Sequence, residues 1–462
     1  MYGGNPLKTE AVYKGIFDKE PLNKGILDKG MLYFPNDFLT DKNECGLGIA
    51  FDIGTTTIVA ILWDLSNGNL LGTSTIANPQ SNHGRDVIAR ITYAQRRPDG
   101  LEILNKSLIK GIAELKENLF AQHPASNERI KKIVFAGNTT MAHILLNKNP
   151  EGLGVAPFEP EYAGAFTITG DYFGFDKEID SYVISSIAGH VGGDITAGVL
   201  SSRLLEQKGI HLFIDLGTNG EIVLARGGEA LTCSTAAGPA FEGASLNCGM
   251  RAVIGAITGI DIAKKIGITT IGNQEPLGIC GSGVVSVVAE MLRVGIINSR
   301  GRITTRKIWE DQNPDSRIGE MLTQEEKERV FCLVLAKEEK KEIKISQGDV
   351  REVQLAKAAI RGGLQVLLRE WGLEESDLDG IHIGGAFGST LNKMDAIAIG
   401  LIPDMELDKI HILGNSAGAG ASMVLLSKRE KTLAEEIPDK VRHLELALRD
   451  DFQEAYIMAM DF

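Results

Sequence analysis

Two short turns of matching composition, 163 residues apart, constrain this chain more than any other feature. Asp52-Ile53-Gly54-Thr55-Thr56 recurs as Asp215-Leu216-Gly217-Thr218-Asn219, with Asp, Gly and Thr in equivalent places. Each turn sits between apolar runs that read as strands: GIAFDI and TIVAILWDL around the first, HLFIDL and EIVLAR around the second. A third strand follows in both places, after SNGN (Ser66–Asn69) and after the Gly227-Gly228 turn. Further along, a helix leads to an apolar strand that ends on glycine. In the first half a polar, helix-like stretch (Asp86–Gln95) and a helix over Ile103–Leu119, apolar at 104, 108, 112, 115 and 119, precede IVFAGNTTMAHILL. In the second half a helix from about Glu352 to Trp371 precedes IHIGGAFGSTLN. A repeat this long is not a solenoid unit. It predicts an α/β fold of two related lobes facing across a cleft, the usual place for a small ligand. The expected domains are an N-terminal extension (1–46), lobe I (47–205), lobe II (206–413) and a C-terminal helical return to lobe I (414–462).

Tight turns rich in Gly, Thr and Asn aim several backbone N–H groups into one concavity, which suits an anion. Gly54 and Gly217 let a phosphate approach the backbone, and Thr55, Thr56, Thr218 and Asn219 add side-chain donors. An aspartate beside such a nest repels phosphate unless a cation stands between them. Asp52 and Asp215 therefore imply Mg²⁺ held through water, because that ion keeps most of its hydration shell. Either turn alone reads equally well as a plain hairpin; the duplication points to a nucleotide.

Other segments leave two readings open. Asp194 opens a helix in GHVGGDITAGVLSSRLL and either caps it or orients the water that attacks the γ-phosphate. Gly384 and Gly385, followed by Ala386, either let an adenine or ribose lie on the backbone or let a helix pack closely on a strand. The small residues of Gly414–Leu426 suit a hinge or tight helix packing alike, and Glu242 either faces the cleft or caps a helix. His83, His143 and His190 have no metal-ligand spacing. Lys337–Lys344 reads as a solvated hairpin tip between two strands, and residues 1–46, with KGIFDK and KGILDK in near repeat, as an arm over a neighbouring surface.

Charge and cysteine content narrow the function. The net charge of −13 argues against a nucleic-acid binder, which needs basic surface to displace counterions. No run approaches the ~18 to 20 apolar residues that cross a bilayer, and the opening residues do not resemble a signal peptide, so a cytoplasmic location with no membrane partner is expected. Cys45, Cys233, Cys248, Cys280 and Cys332 are far apart without a C-x-x-C, so neither a disulfide framework nor an iron–sulfur cluster is expected; Cys233, Cys248 and Cys280 read as small buried residues.

The order of Asp52-Ile53-Gly54-Thr55-Thr56, the Asp194 helix start, Asp215-Leu216-Gly217-Thr218 and Gly384-Gly385-Ala386 resembles the actin, sugar-kinase and heat-shock-chaperone ATPase superfamily. More narrowly, residues 47 to about 430 resemble the ATPase domain of reductive activators of corrinoid-dependent enzymes. The strings that carry this are Asn78-Pro79-Gln80 with GRDVIAR (84–90), FAGNTTM (135–141), STAAGPAFEGA (234–244), ICGSG (279–283) and IGGAFGSTLN (383–392). The resemblance implies an actin-like ATPase fold with the nucleotide in the interlobe cleft, closing as Mg-ATP is hydrolysed. It implies ATP and Mg²⁺ as ligands, with Asp52, Asp194 and Asp215 in the catalytic machinery. It also implies a corrinoid protein or corrinoid-dependent methyltransferase as client, whose Co(II) is returned to Co(I). Without the iron–sulfur domain usual in that family, the electron is expected from a separate donor; a homodimer is left open. The alternatives are a small-molecule kinase of the same superfamily and a nucleotide-dependent scaffold that does not hydrolyse ATP.

Overall fold

The computed structural model describes residues 32–41, 44–123, 130–243, 245–262, 267–325, 328–335, 342–385 and 390–462, without the Glu242 side chain. The chain divides into two compact units: residues up to Glu206 with Asn415–Arg442, and Gln207–Gly414 with His443–Phe462.

The first unit is built on a six-stranded sheet. β1 (Leu47–Ile53), β2 (Thr57–Asp64) and β3 (Asn69–Ala77) run antiparallel, and the SNGN segment turns β2 into β3. Helix α1 spans Val87–Arg96, with Asp86 accepting the Ala89 N–H at 2.7 Å as its cap. Helix α2 (Gly100–Gln122) buries Leu104, Leu108, Ile112, Leu115 and Leu119, the stripe expected from its spacing, and packs on β2 and β3. β4 (Ile130–Gly137) then lies parallel to β1, followed by helix α3 (Thr139–Leu145), β5 (Phe166–Thr169), β6 (Asp180–Val183) and helix α4 (Gly193–Ser202). The sheet order is β3-β2-β1-β4-β6-β5.

The helix Ser416–Leu426 is buried along its whole length and packs on β1, β4 and α4. A Cβ at Gly420 would lie 2.1 Å from the Ala197 carbonyl oxygen, so within this unit the small residues serve backbone-to-backbone packing. Residues 32–41 lie against the same unit. Phe34 stacks on Phe38 and meets the Trp63 ring edge-on, and Asp41 accepts the Lys428 N–H at 2.9 Å. Asp37 joins Arg203, whose guanidinium also grips the fully buried Glu430 through two bonds of 2.5 and 2.7 Å.

The second unit repeats the programme. β7 (Ile210–Leu216), β8 (Gly220–Arg226) and β9 (Glu229–Thr235) form the antiparallel meander. Helix α5 (Gly281–Val294) lies against the small strand Ala256–Asp261. Helix α6 (Gln347–Trp371) starts five residues before the expected point, because Ser346 and Asp349 form a reciprocal capping box. Gly363 lets α6 approach the meander, where a Cβ would meet Ile222 and Thr235 at 2.8 Å. β10 (Gly380–Gly384) and β11 (Ile410–Gly414) run parallel to β7, giving β11-β10-β7-β8-β9 as five of the six strands of this sheet. The strands flanking the Lys337–Lys344 run, Glu328–Val334 and Ile343–Ser346, pair antiparallel; its residues 337–341 lie outside the described residues.

One expectation is corrected. The C-terminal segment does not return as a whole to the first unit: Asn415–Arg442 belongs there, but His443–Phe462 belongs to the second. Leu444 donates its N–H to the Thr232 carbonyl at 2.8 Å, and the helix Asp450–Met458 lays Phe452 and Tyr456 over Gly362 of α6. Gln354 and Lys357 of α6 then hold the carbonyls of Met460 and Asp461. Among the described residues, no helix is long and apolar enough to cross a membrane.

Candidate functional site

The first turn is held from behind by segments distant in sequence. Its own closure is a hydrogen bond from Gly54 N–H to the Thr57 carbonyl, 3.0 Å. The Asn78 side chain donates to the Gly54 carbonyl at 2.9 Å, and the Asn78 backbone N–H donates to the Thr56 carbonyl at 2.9 Å. The carbonyl between them, on Thr55, accepts from Arg90 Nη2 at 2.6 Å. Three consecutive carbonyls are thus tied to one side. In a trans peptide the N–H points opposite to the C=O, so the N–H groups of Thr55 and Thr56 point away from those donors. Asn138, which caps α3 through the Met141 N–H, donates to Thr55 Oγ1 at 2.9 Å and sets that hydroxyl. Asp52, half-buried at the end of β1, stands in register between Val59 and Ala136.

Arg90 itself is fully buried. Besides Thr55 it donates to the Gly84 carbonyl and Gln80 Oε1, both at 3.0 Å, and to Met141 Sδ at 3.1 Å. Burial pulls its pKa down to about 10, against a weak opposing pull from Asp86.

Asp194 belongs to the same unit. The cap position itself is Gly192, and Asp194 occupies the second helical position, its carboxylate accepting the first-turn N–H of Ile195 at 2.9 Å. Gly192 is required there because a Cβ would fall 2.3 Å from Asn138 Cα. Through that contact the start of α4 touches the asparagine that holds Thr55.

The second turn is built differently. Leu216 pairs with Gly220, leaving three residues between them, whereas Ile53 pairs with Ile58 across four. Gly217 N–H closes it on the Asn219 carbonyl at 3.0 Å. The shortening changes which residue stands opposite the aspartate: Asp215 faces Glu221, where Asp52 faces Val59. Two carboxylates in register on neighbouring strands repel unless a cation or a donor intervenes. Ser234, opposite Glu221 on β9, donates to Glu221 Oε1 at 3.2 Å. On the other flank Gly384 pairs with Asp215, and Gly385 follows at φ +89°. A Cβ at Gly385 would lie 2.7 Å from the Leu216 carbonyl oxygen and 2.9 Å from Asp215 Oδ1, so this position has no room for a side chain beside the carboxylate. Thr218 lies within the turn beside Asn219; Ala386 lies outside the described residues.

These oxygens suit a hard, hydrated cation: two carboxylates on one sheet face, beside a pair of glycines. Among the described residues, no three His, Cys, Asp or Glu side chains converge to hold a metal directly. Glu221 was missed at the sequence level, where its signal is only one residue lost from the second turn. Arg90, Asn78 and Asn138 were visible as strings without a role. Hollows of about 390 and 450 Å³ lie elsewhere, beside Thr73 and Asn118 and beside Ala359 and Tyr456, and no expected site residue lines either.

The remaining strings serve packing. A Cβ at Gly283 would come 1.9 Å from the Ile257 carbonyl, and one at Gly249 would come 1.8 Å from that of Gly243. Thr390 donates to Ser282 at the start of α5 at 2.9 Å, joining the end of the IGGAFGSTLN string to ICGSG.

Comparison with known proteins places these features. Residues 209–462 match the family described as the C-terminal domain of RACo, the ASKHA domain, and residues 47–207 match the RACo middle region. A protein of Eubacterium limosum named corrinoid activation enzyme RamQ is 38% identical over 429 residues, which are 91% of this chain and 72% of that protein. The [Co(II) methylated amine-specific corrinoid protein] reductase of Methanosarcina barkeri is 26% identical over 452 residues, 90% of this chain and 77% of the relative. A solved structure, a reductive activator for corrinoid,iron-sulfur protein, superposes with a TM-score of 0.81 at 36% identity, covering 91% of this chain and 67% of that one.

Proposed function

Since the chain belongs to the RACo family, through both its ASKHA domain and its middle region, we propose that it is an ATP-dependent reductive activator of a corrinoid protein. Its work is to help return cobalt from Co(II) to Co(I). The observation that carries this is the match over nine-tenths of the chain to proteins named for that activity, joined to two aspartate-bearing turns at matching places in the two meanders.

The N–H groups and hydroxyls of Thr55 and Thr56, and the hydroxyl of Thr218 with the side-chain amide of Asn219, bind the phosphates, and Gly54 and Gly217, whose own N–H groups close the turns, let the phosphates approach the backbone. Asp215, with Glu221 beside it, and Asp52 hold the waters of Mg²⁺. When bound, that ion neutralises charge on the transferring phosphoryl group. Asp194, on the first turn of α4, orients the attacking water. Gly384, Gly385 and Ala386 leave room for the nucleoside. The client is a cytoplasmic corrinoid protein or corrinoid-dependent methyltransferase, and the electron comes from a separate donor.

The energy is adequate. A grip on the client that differs by ~5.5 kcal/mol between nucleotide states moves a two-state equilibrium from 1:99 to 99:1. For a one-electron couple the same energy corresponds to roughly 240 mV.

The test mixes the purified protein with a Co(II) corrinoid protein and a chemical reductant, with and without Mg-ATP, and follows Co(I) by absorbance. Co(I) should accumulate only with ATP and with this protein present. An ATP-independent signal, or phosphate transferred to a metabolite instead of released, would refute the proposal.

A further inference from the structure

We propose that Arg90 is the counter-charge for the nucleotide's phosphates, acting through the Thr55 peptide from inside the protein. This rests on the assignment of the first turn to phosphate. The argument begins from what the guanidinium touches. All four of its acceptors are neutral: two backbone carbonyls, an amide oxygen and a thioether. The carboxylate that acts on it, Asp86, is exposed and already accepts the Ala89 N–H. Among the described residues Arg90 makes no ion pair, although its side chain is wholly buried.

A cation shut away from water without an anion is costly, and neutral acceptors return only part of that cost. Filling the space does not call for a charge, since a neutral side chain could occupy it, although Gln would offer only one amino group and Met no donor to the acceptors that Arg90 holds. What the position offers is direction. The charge lies behind the one carbonyl of the turn that Asn78 does not hold, so it polarises the Thr55–Thr56 peptide and strengthens the N–H on the far side as a donor. A polyphosphate on that N–H supplies the missing negative charge across one peptide plane, in surroundings where screening is weak. Arg90 is thus a positioning residue: it touches the turn, not the substrate.

The test compares wild type with Arg90→Met and Arg90→Gln, measuring folding by thermal denaturation without nucleotide and affinity for ATP, ADP and AMP by calorimetry. Both variants should fold with a midpoint within about ten degrees of wild type, because the gain from shedding a buried charge is offset by the acceptors left without a donor. ATP affinity should fall by about tenfold or more, ADP affinity by less and AMP affinity least, following ligand charge. Equal losses for the three nucleotides, no loss for ATP, or failure of both neutral variants to fold would overturn the proposal and leave Arg90 a structural brace. A wild type that binds none of the three would instead sink the assignment of the turn to phosphate.

Discussion

The two D-x-G-T turns match in sequence and differ in opposite electrostatic directions. The first spans four residues, faces a valine across the sheet, and has a buried cation bonded to its back. The second spans three, faces a glutamate, and is flanked by glycine backbone. Losing one residue from a hairpin re-registers the following strand, and here that brings Glu221 beside Asp215. One turn has gathered positive charge and the other negative. On the proposed function both turns meet phosphate and metal, and this difference weights the first turn toward the anion and the second toward the metal.

If the turns are weighted in this way, the second should be the one hydrolysis cannot spare. Asp215→Ala is expected to lower phosphate release from ATP by about a thousandfold, the scale of a lost metal-and-charge contact. Turnover within a few-fold of wild type would contradict the metal assignment.

Acid should separate the two units next. In the second unit His382 is buried on β10, its ring stacked on His411 at 5.0 Å and its Nε2 3.4 Å from His211 Nδ1. Burial, and then the neighbouring His411 and His211, push its pKa down to about 3. The unfolded chain titrates near the ordinary value of ~6.5, so it takes up the proton first as pH falls. The stabilisation is therefore complete above that value and is lost progressively toward the folded pKa. Between pH 6.5 and 5 the loss is about 2 kcal/mol from this residue. Denaturant titration across that range should show it in wild type and show a flatter profile in His382→Phe; parallel profiles would contradict the assignment.

The smallest contrast is in the turn glycines. A Cβ at Gly54 meets the Thr57 carbonyl oxygen at 2.7 Å, whereas one at Gly217 meets only the Asn219 oxygen at 3.4 Å. Gly54→Ala should cost about 1 to 3 kcal/mol of stability and Gly217→Ala about 0.5 or less. Equal costs in denaturant titrations would mean that the turns are the same after all.

What could be read from the sequence follows physical range. The D-x-G-T turns, the meanders around them and the Leu104–Leu119 stripe are local patterns, written in a few consecutive or evenly spaced residues. The early start of α6 was also local, in the Ser346–Asp349 pair, and went unread. Glu221 depends on register, which one deleted residue changes without altering any strand pattern. Arg90 depends on a meeting with a peptide 35 residues away, which the helical spacing of α1 does not specify. Nor did the last twenty residues carry a local mark of the unit they join; Gly362 and Thr232, far upstream, decide that.

The claim that the second turn is weighted toward the metal is tested most directly by titrating ATP, with Mg²⁺ and with chelator, into wild type and Glu221→Gln. Wild type should prefer Mg-ATP over metal-free ATP by about tenfold or more. The variant should bind metal-free ATP as wild type does, with its preference for the magnesium complex reduced to about threefold or less. A variant that keeps the full preference, or that loses metal-free ATP instead, would contradict the account.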